Sequence, residues 1–253
     1  MLVGIDVSHP EPGSDRMSMA AVVGSMDGCA GQYVAHLSAQ RSREEMVASL
    51  TESMVKLFQC FRERNSGGMP EHVLVYRDGV SDGQFDKVLM QELPCIKESI
   101  ALMGYEEQSV KITILICQKG HNTRLQYLDG DSYVNLCPGM VVDGNSNSIT
   151  SARINEFYLN SHVAIQGTAK PCKYSLIYDE IGFKMSELEM LTYWTCYLFA
   201  RCNRSVSYAT PAYYAHHASK RGKALFAGGA TQDNLRTISD TFSAMGAASM
   251  FFI

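Results

Sequence analysis

LVGIDV (residues 2–7) places one acid inside an otherwise apolar run, and the fold follows from how that run is read. A short apolar run of this kind is a strand buried on both faces. A lone carboxylate in its middle is expensive to bury, so Asp6 needs a partner. Working outward, MAAVVGSMD (19–27) and YVAHLSAQ (33–40) read as two more strands, joined by a turn around Gly28 and Gly31. Then the period changes. From Arg43 to Arg64 the apolar residues Met46, Val47, Leu50, Met54, Leu57 and Phe58 recur at helical spacing. Ser42-Arg43-Glu44-Glu45 has the form of a capping box opening that helix, and Asn65-Ser66-Gly67-Gly68 breaks it. HVLVYRDG (72–79) is another buried strand, ending in an Asp-Gly turn. A helix around 83–103 and a strand at 111–118 (KITILICQ) follow, then shorter strands at 139–143, 155–161 and 173–179. Helices at 186–202 and 211–226 come next, and 227–253 reads as a loop followed by a short helix. Three hairpin-connected strands, a helix, then strands alternating with helices predict an α/β fold: a mixed sheet flanked by helices, in one domain.

The composition agrees. With 253 residues, 46% hydrophobic and 19% charged, the chain can bury a substantial core, and disorder is excluded. No stretch approaches the ~20 apolar residues of a membrane helix. The start, MLVGIDVSHP, lacks a basic-then-apolar signal pattern. A soluble, intracellular protein of the cytoplasm, and also of the nucleus, is expected, with no membrane partner. None of the eight cysteines forms a Cys-x-x-Cys pair, which predicts buried free thiols and no structural zinc. The net charge of −4 argues mildly against nucleic acid, but its distribution matters more. Between Glu189 and Asp233 there is no acid, while Arg201, Arg204, Lys220, Arg221 and Lys223 share that stretch with His216 and His217. Such a stretch either faces an anion or is a solvated basic face without a partner.

Asp78 ends the fourth strand. In a mixed sheet, strands one and four can be neighbours, which brings Asp6 and Asp78 to one edge. Two adjoining carboxylates repel unless a cation lies between them, and oxygen-rich sites favour Mg²⁺ or Mn²⁺. Two such ions about 3.5–4 Å apart can hold the attacking water and the leaving oxygen of a phosphodiester. The alternative for Asp78 is an ordinary Asp-Gly turn residue.

At this point longer motifs speak. GIDVSHP (4–10), AAVVGSMD (20–27), YRDGVSDGQF (76–85), QKGHNTRL (118–125), FYLNSHVAIQGTAKP (157–171), LTYWTCYLFARCNRSVS (191–207) and PAYYAHHASKR (211–221) occur in order along the chain. Together they resemble the Piwi domain of eukaryotic Argonaute proteins of the microRNA and small-interfering-RNA type. The resemblance implies a ribonuclease H-like fold and small-RNA-guided silencing, with target RNA cleaved by two-metal phosphodiester hydrolysis. It implies a catalytic set of Asp6, Glu45, Asp78 and His216. Asp6, Asp78 and His216 would be metal ligands for two Mg²⁺ or Mn²⁺ ions, and Glu45 the family's glutamate finger, which enters the site when a guide is loaded. Other readings stay open. Glu45 can be no more than the helix cap, with Glu44 its rival; His216 can be a packed or phosphate-contacting imidazole, with His217 beside it; His9 reads as structural.

The same resemblance assigns guide-backbone contacts to Lys119, Arg124, His162, Lys170, Arg201, Ser207, Tyr213 and Arg221, with Arg204 and Lys223 as basic neighbours. Lys170 stands where relatives often place Arg, which keeps the charge and loses the planar fork. The implied partners are a small guide RNA, a complementary target RNA and silencing-complex proteins, although the residues near Phe61 do not carry over the family's tryptophan-binding pocket. Argonautes place an N-terminal, a PAZ and a Mid domain before Piwi. This chain is expected to be a single Piwi domain over 1–253, without the Mid pocket for the guide 5′-phosphate or the PAZ grip on its 3′ end. A reading from another class follows from that: a non-catalytic Piwi module that only binds RNA or protein. A third is an unguided nuclease acting on any paired RNA.

Overall fold

Leu2–Ser8 (β1), Ser18–Ser25 (β2) and Tyr33–Gln40 (β3) form an antiparallel meander, and β2 is buried along its whole length. The computed structural model describes residues 1–14, 16–144, 155–227 and 250–253. His72–Asp78 (β4) runs parallel to β1, with Ile5 opposite Arg77, so Asp6 and Asp78 come side by side where the two strands end. Lys111–Gln118 (β5) lies parallel to β4 on its other side. Met140–Asp143 (β8), Asn155–Asn160 (β9) and Cys172–Asp179 (β10) extend the sheet antiparallel, giving the order β3-β2-β1-β4-β5-β10-β9-β8.

The period of two decides which side chains face which helices. Val3, Ile5 and Val7 of β1 and Val73 and Val75 of β4 pack under Leu50–Arg64 (α1) and Leu93–Leu102 (α3). Leu74 and Tyr76 point the other way, into a core closed by Met185–Thr195 (α4) and Thr210–Ala227 (α5). Asp6 and Asp78 share that second parity, so both carboxylates project to the side of α5. Gly4 makes this close approach possible. A β-carbon on it would sit 1.9 Å from the Pro211 carbonyl oxygen, so α5 rests directly on the backbone of β1.

The mixed, helix-flanked α/β sheet is as the sequence predicts, but several boundaries differ. The helix expected from Arg43 begins at Leu50, and Ser42 caps nothing: Arg43 lies at φ +62°, outside any helix. The helix expected to 202 ends at Thr195, where Ala200 N–H donates to Tyr214 Oη and Tyr214 Oη–H to the Leu198 carbonyl, fixing a turn. Helix 83–103 is composite: a 3₁₀ turn at Asp82–Gln84, one α turn at Phe85–Lys87 (α2), a π segment at Val88–Glu92, then α3. Gln126–Asp129 (β6) and Ser132–Asn135 (β7) form an unforeseen hairpin. All eight cysteines are free, but only Cys117, Cys172 and Cys196 are buried; Cys29, Cys137 and Cys202 are exposed, contrary to the expected burial. Most of the expected loop and helix over 227–253 lies outside the described residues. Among the described residues, no helix is long and apolar enough to cross a membrane.

Candidate active site

Asp6, Asp78 and His216 each offer a ligand atom within 4.8 Å of the others, the one such group among the described residues. β1 and β4 supply the carboxylates, and the second turn of α5 supplies the imidazole. Asp6 is buried, and its Oδ2 lies 3.1 Å from His216 Nδ1 and accepts from Ser219 Oγ at 2.8 Å. Asp78 has a poorer set of partners: its Oδ1 accepts from Gly79 N–H at 2.8 Å. The two acids therefore separate. Burial raises the pKa of Asp6, but the His216 and Ser219 hydrogen bonds outweigh it and hold the carboxyl below its ordinary value. Burial and then the charge of Asp6 push Asp78 up to about 6. A pair of carboxylates driven apart in this way is relieved either by a proton on Asp78 or by a cation. Oxygen donors plus one imidazole are a fitting donor set for a hard divalent ion.

Glu45 belongs to a nonhelical loop and reaches the site through tertiary bonds. Its Oε2 lies 2.7 Å from His9 Nε2, and its Oε1 accepts from Arg77 Nη1 at 3.1 Å. His9 Nδ1 lies 2.8 Å from Ser18 Oγ. With Ser18 donating there, His9 Nε2–H donates to Glu45. Arg77 is wholly buried on the α1 side of β4, where it pairs with buried Glu92 (Nε to Oε2, 3.0 Å) and donates Nη2–H to the Glu45 carbonyl. Glu92 Oε1 also accepts from Val47 N–H at 3.0 Å. Burial raises the Glu45 pKa against the pull of Arg77 and His9. A β-carbon on Gly79, at φ +90°, would lie 3.1 Å from Glu45 Oε1 and 3.5 Å from Asp6 Oδ1, so the bare glycine gathers both carboxylates beside it. The helix-capping reading of Glu45 is thus incorrect, since no helix starts there, and Glu44 is not the residue drawn in. His9, read as structural, touches Glu45 directly.

The basic residues divide. A cavity of about 700 Å³ runs from Asp78 along Gln118, Lys119, His121 and Lys173. Beside it a second, of about 430 Å³, is lined by His162, Arg204, Ser207 and Tyr213. Lys119 joins them: its Nζ is 3.5 Å from the Ser207 carbonyl and 5.5 Å from the Tyr208 ring centre, and burial lowers its pKa. Burial, then Lys119, lowers that of His162. Lys170 lies near enough to Lys119 and His121 to depress both. Arg124 instead folds onto its own loop, donating to the His121 and Thr123 carbonyls at 3.2 and 2.8 Å. Arg201 is exposed near His217, and Arg221 Nε donates to the Phe251 carbonyl at 3.4 Å. Lys223 is tied to the His9 carbonyl at 3.0 Å. Sequence reading missed Arg77, Glu92, Ser219, Gln118 and Lys173. Arg77 adjoins Asp78 and Ser219 stands three residues after His216, which was the available signal; Glu92 and Lys173 have none.

Residues 1–226 match the model of the Piwi domain family. This chain belongs to the Piwi domain family. It is 40% identical to Protein argonaute 2 of Oryza sativa subsp. japonica over 233 residues, covering 90% of this chain and 22% of that one. Among solved structures it is similar to the C-terminal lobe of a budding yeast Argonaute (TM-score 0.84, 28% identity, 92% of this chain and 50% of that chain). It is also similar to Kluyveromyces polysporus Argonaute with a guide RNA (TM-score 0.83, 30% identity, 90% of this chain and 28% of that chain). The fold is ribonuclease H-like. The Piwi chain spans about a fifth of the length of its rice relative.

Proposed function

We propose that this Piwi domain binds a small guide RNA paired to its target and cleaves the target by metal-assisted phosphodiester hydrolysis. The observation that carries this reading is the convergence of Asp6, Asp78 and His216, with Glu45 held beside them, in a family whose relatives include an Argonaute solved with a guide RNA. Asp6, Asp78 and His216 would hold the ions, Mg²⁺ or Mn²⁺. Divalent ions there would polarise the phosphoryl oxygens and supply hydroxide near neutral pH.

The rest is done by the chain itself. Lys119, His162, Ser207 and Tyr213, which line the two adjoining cavities, and Lys170 near Lys119 would grip phosphates without reading bases, while base pairing with the guide selects the target. Arg124, Arg201 and Arg221 would extend that grip from exposed positions, Arg124 after leaving its loop carbonyls. Asp6, fixed by His216 and Ser219, keeps its negative charge, and Asp78 gives up its proton most readily above about pH 6. Glu45, oriented by His9 and Arg77, would place an acceptor at the edge of the site where a water can be aligned. Arg77 and Glu92 lie behind the reacting atoms and hold that acceptor in place.

The test is cleavage of a labelled RNA opposite a complementary guide, with Mg²⁺ or Mn²⁺, by this chain joined behind the N-terminal, PAZ and Mid domains of a cutting relative. A single metal-dependent cut, lost in Asp78→Ala while guide binding is retained, is expected. An undiminished cut in Asp78→Ala overturns the assignment, and no cut by the wild-type fusion with guide bound favours a module that only binds.

A further inference from the structure

Asp6 is held from the α5 side by a hydroxyl to which the family resemblance assigns no role. Ser219 is completely buried, one turn beyond His216, and its Oγ lies 2.8 Å from Asp6 Oδ2. The same oxygen lies 2.8 Å from Ser8 Oγ and 3.0 Å from the His216 carbonyl. A serine has one proton to give, and an ionised carboxylate can only accept. The His216 carbonyl can also only accept, but it is farther and uncharged, so the proton goes to Asp6 Oδ2, and the Ser8–Ser219 bond runs from Ser8. The charge on Asp6 sets the direction of the whole relay: Ser8 to Ser219 to Asp6 Oδ2.

This has a consequence for the other oxygen. A carboxylate torsion is broad, so nothing intrinsic decides which oxygen of Asp6 faces the cleft. Both partners of Oδ2 come from α5, which leaves Oδ1 on the side of Gly79, the residue after Asp78. Of those two partners, His216 changes with its tautomer and with any ligand its partly exposed ring accepts. Ser219 is buried, uncharged and constant. We propose that Ser219, backed by Ser8, is a positioning residue that locks Asp6 with Oδ1 presented toward Asp78, so that the cation site is formed before a cation arrives. This rests on the metal-dependent reading above. Outer-shell partners of metal ligands typically contribute 10–100-fold to affinity.

The experiment is a Mn²⁺ titration of the full 253-residue chain, followed by the paramagnetic signal of free Mn²⁺ and by the rise in melting temperature on adding the ion, in wild type, Ser219→Ala, Ser8→Ala and Asp78→Asn. Ser219→Ala is expected to weaken binding about tenfold and to shrink the Mn²⁺-dependent rise in melting temperature. Ser8→Ala should move both the same way by less, since it leaves Ser219 in place. A serine that only packs would change the metal-free melting temperature and leave the ion-dependent rise alone. Should Ser219→Ala fail to fold, the Ser8→Ala titration decides. Wild type that binds, Asp78→Asn that does not, and serine variants that bind like wild type overturn the relay and leave the metal reading standing. Wild type that binds no better than Asp78→Asn overturns both.

Discussion

At the scale of single residues, the site is built on inequality between like groups. Asp6 and Asp78 are the same residue type on adjacent strands, yet Asp6 has a hydroxyl and an imidazole on it and Asp78 has a backbone amide. The proton therefore goes to Asp78. Its folded pKa of about 6 lies above the ordinary 3.8, so the folded state binds that proton more tightly than the unfolded chain does. Stability from this group is present at low pH and is lost as pH rises through about 6. In metal-free buffer, taking wild type from pH 7 to 5.5 should raise its stability relative to Asp78→Asn by on the order of 1 kcal/mol. Thermal melts of the two proteins across that range check this, and an opposite slope difference would refute the assigned shift. Arg77 shows the reverse arrangement: one buried cation serves two acids and two carbonyls, those of Glu45 and Asp78. Arg77→Met strands Glu92 in the core and should cost about 3–5 kcal/mol, whereas Arg77→Met with Glu92→Leu should recover much of it. Denaturant melts of the single and double variants measure the difference.

At the scale of elements, the glycine at position 4 sets the distance between β1 and α5, and with it the distance from Asp6 to His216. Gly4→Ala drives a β-carbon into the Pro211 carbonyl, backbone against backbone, and should cost about 3 kcal/mol or more. Gly222→Ala meets the side chain of Met19, which can turn aside, so it should cost less. Urea melts that rank the two the other way would contradict this account of how the helix is seated. Elements also show what could be read from sequence and what could not. β3 and β5 fall on the residues that alternation and apolar runs delimit, and the neighbourhood of β1 and β4 follows from the order of elements. The loop before α1 does not. Ser42-x-x-Glu45 carries the local pattern of a cap, but Arg43 N–H donates to Ser18 Oγ and Glu45 is taken by His9 and Arg77, all distant in sequence. Three long-range bonds override one local preference. The family resemblance implies Glu45 at the site, whereas its spacing alone puts it in a helix cap. The early end of α4 has a similar cause, since Tyr214 of α5 organises the turn that follows it.

At the scale of the whole molecule, charge is separated by function and hardly visible in the sum. The net charge of −4 would repel RNA if it were spread evenly. Instead the paired acids sit at strand ends, beside a cavity also lined by Lys119, with His162 and Arg204 lining the adjoining one. Lys119 is the residue that links the two cavities. It is partly stripped of water, close to Ser207 and Tyr208, and near a second cation at Lys170, which favours handing its charge to an anion. Asp82 shows the contrast: its carboxylate is paired with Lys173 at 3.3 Å, a cation it shares with Glu156, and accepts from Gln118 Nε2 at 2.9 Å, so these acids already occupy the charge of Lys173. A phosphate contact of this kind acts through counterion release, without regard to base sequence. Lys119→Ala should therefore weaken binding of guide–target duplexes of unrelated sequence by similar factors, and reduce the slope of log affinity against log salt by about 1. Lys173→Ala, which removes a cation already committed to Glu156 and Asp82, should change the slope far less. Binding isotherms over a salt series for the two variants separate a cation that faces RNA from one that only balances acids. Equal slopes for both would place the RNA elsewhere than along the path from Asp78 through Lys119 to His162.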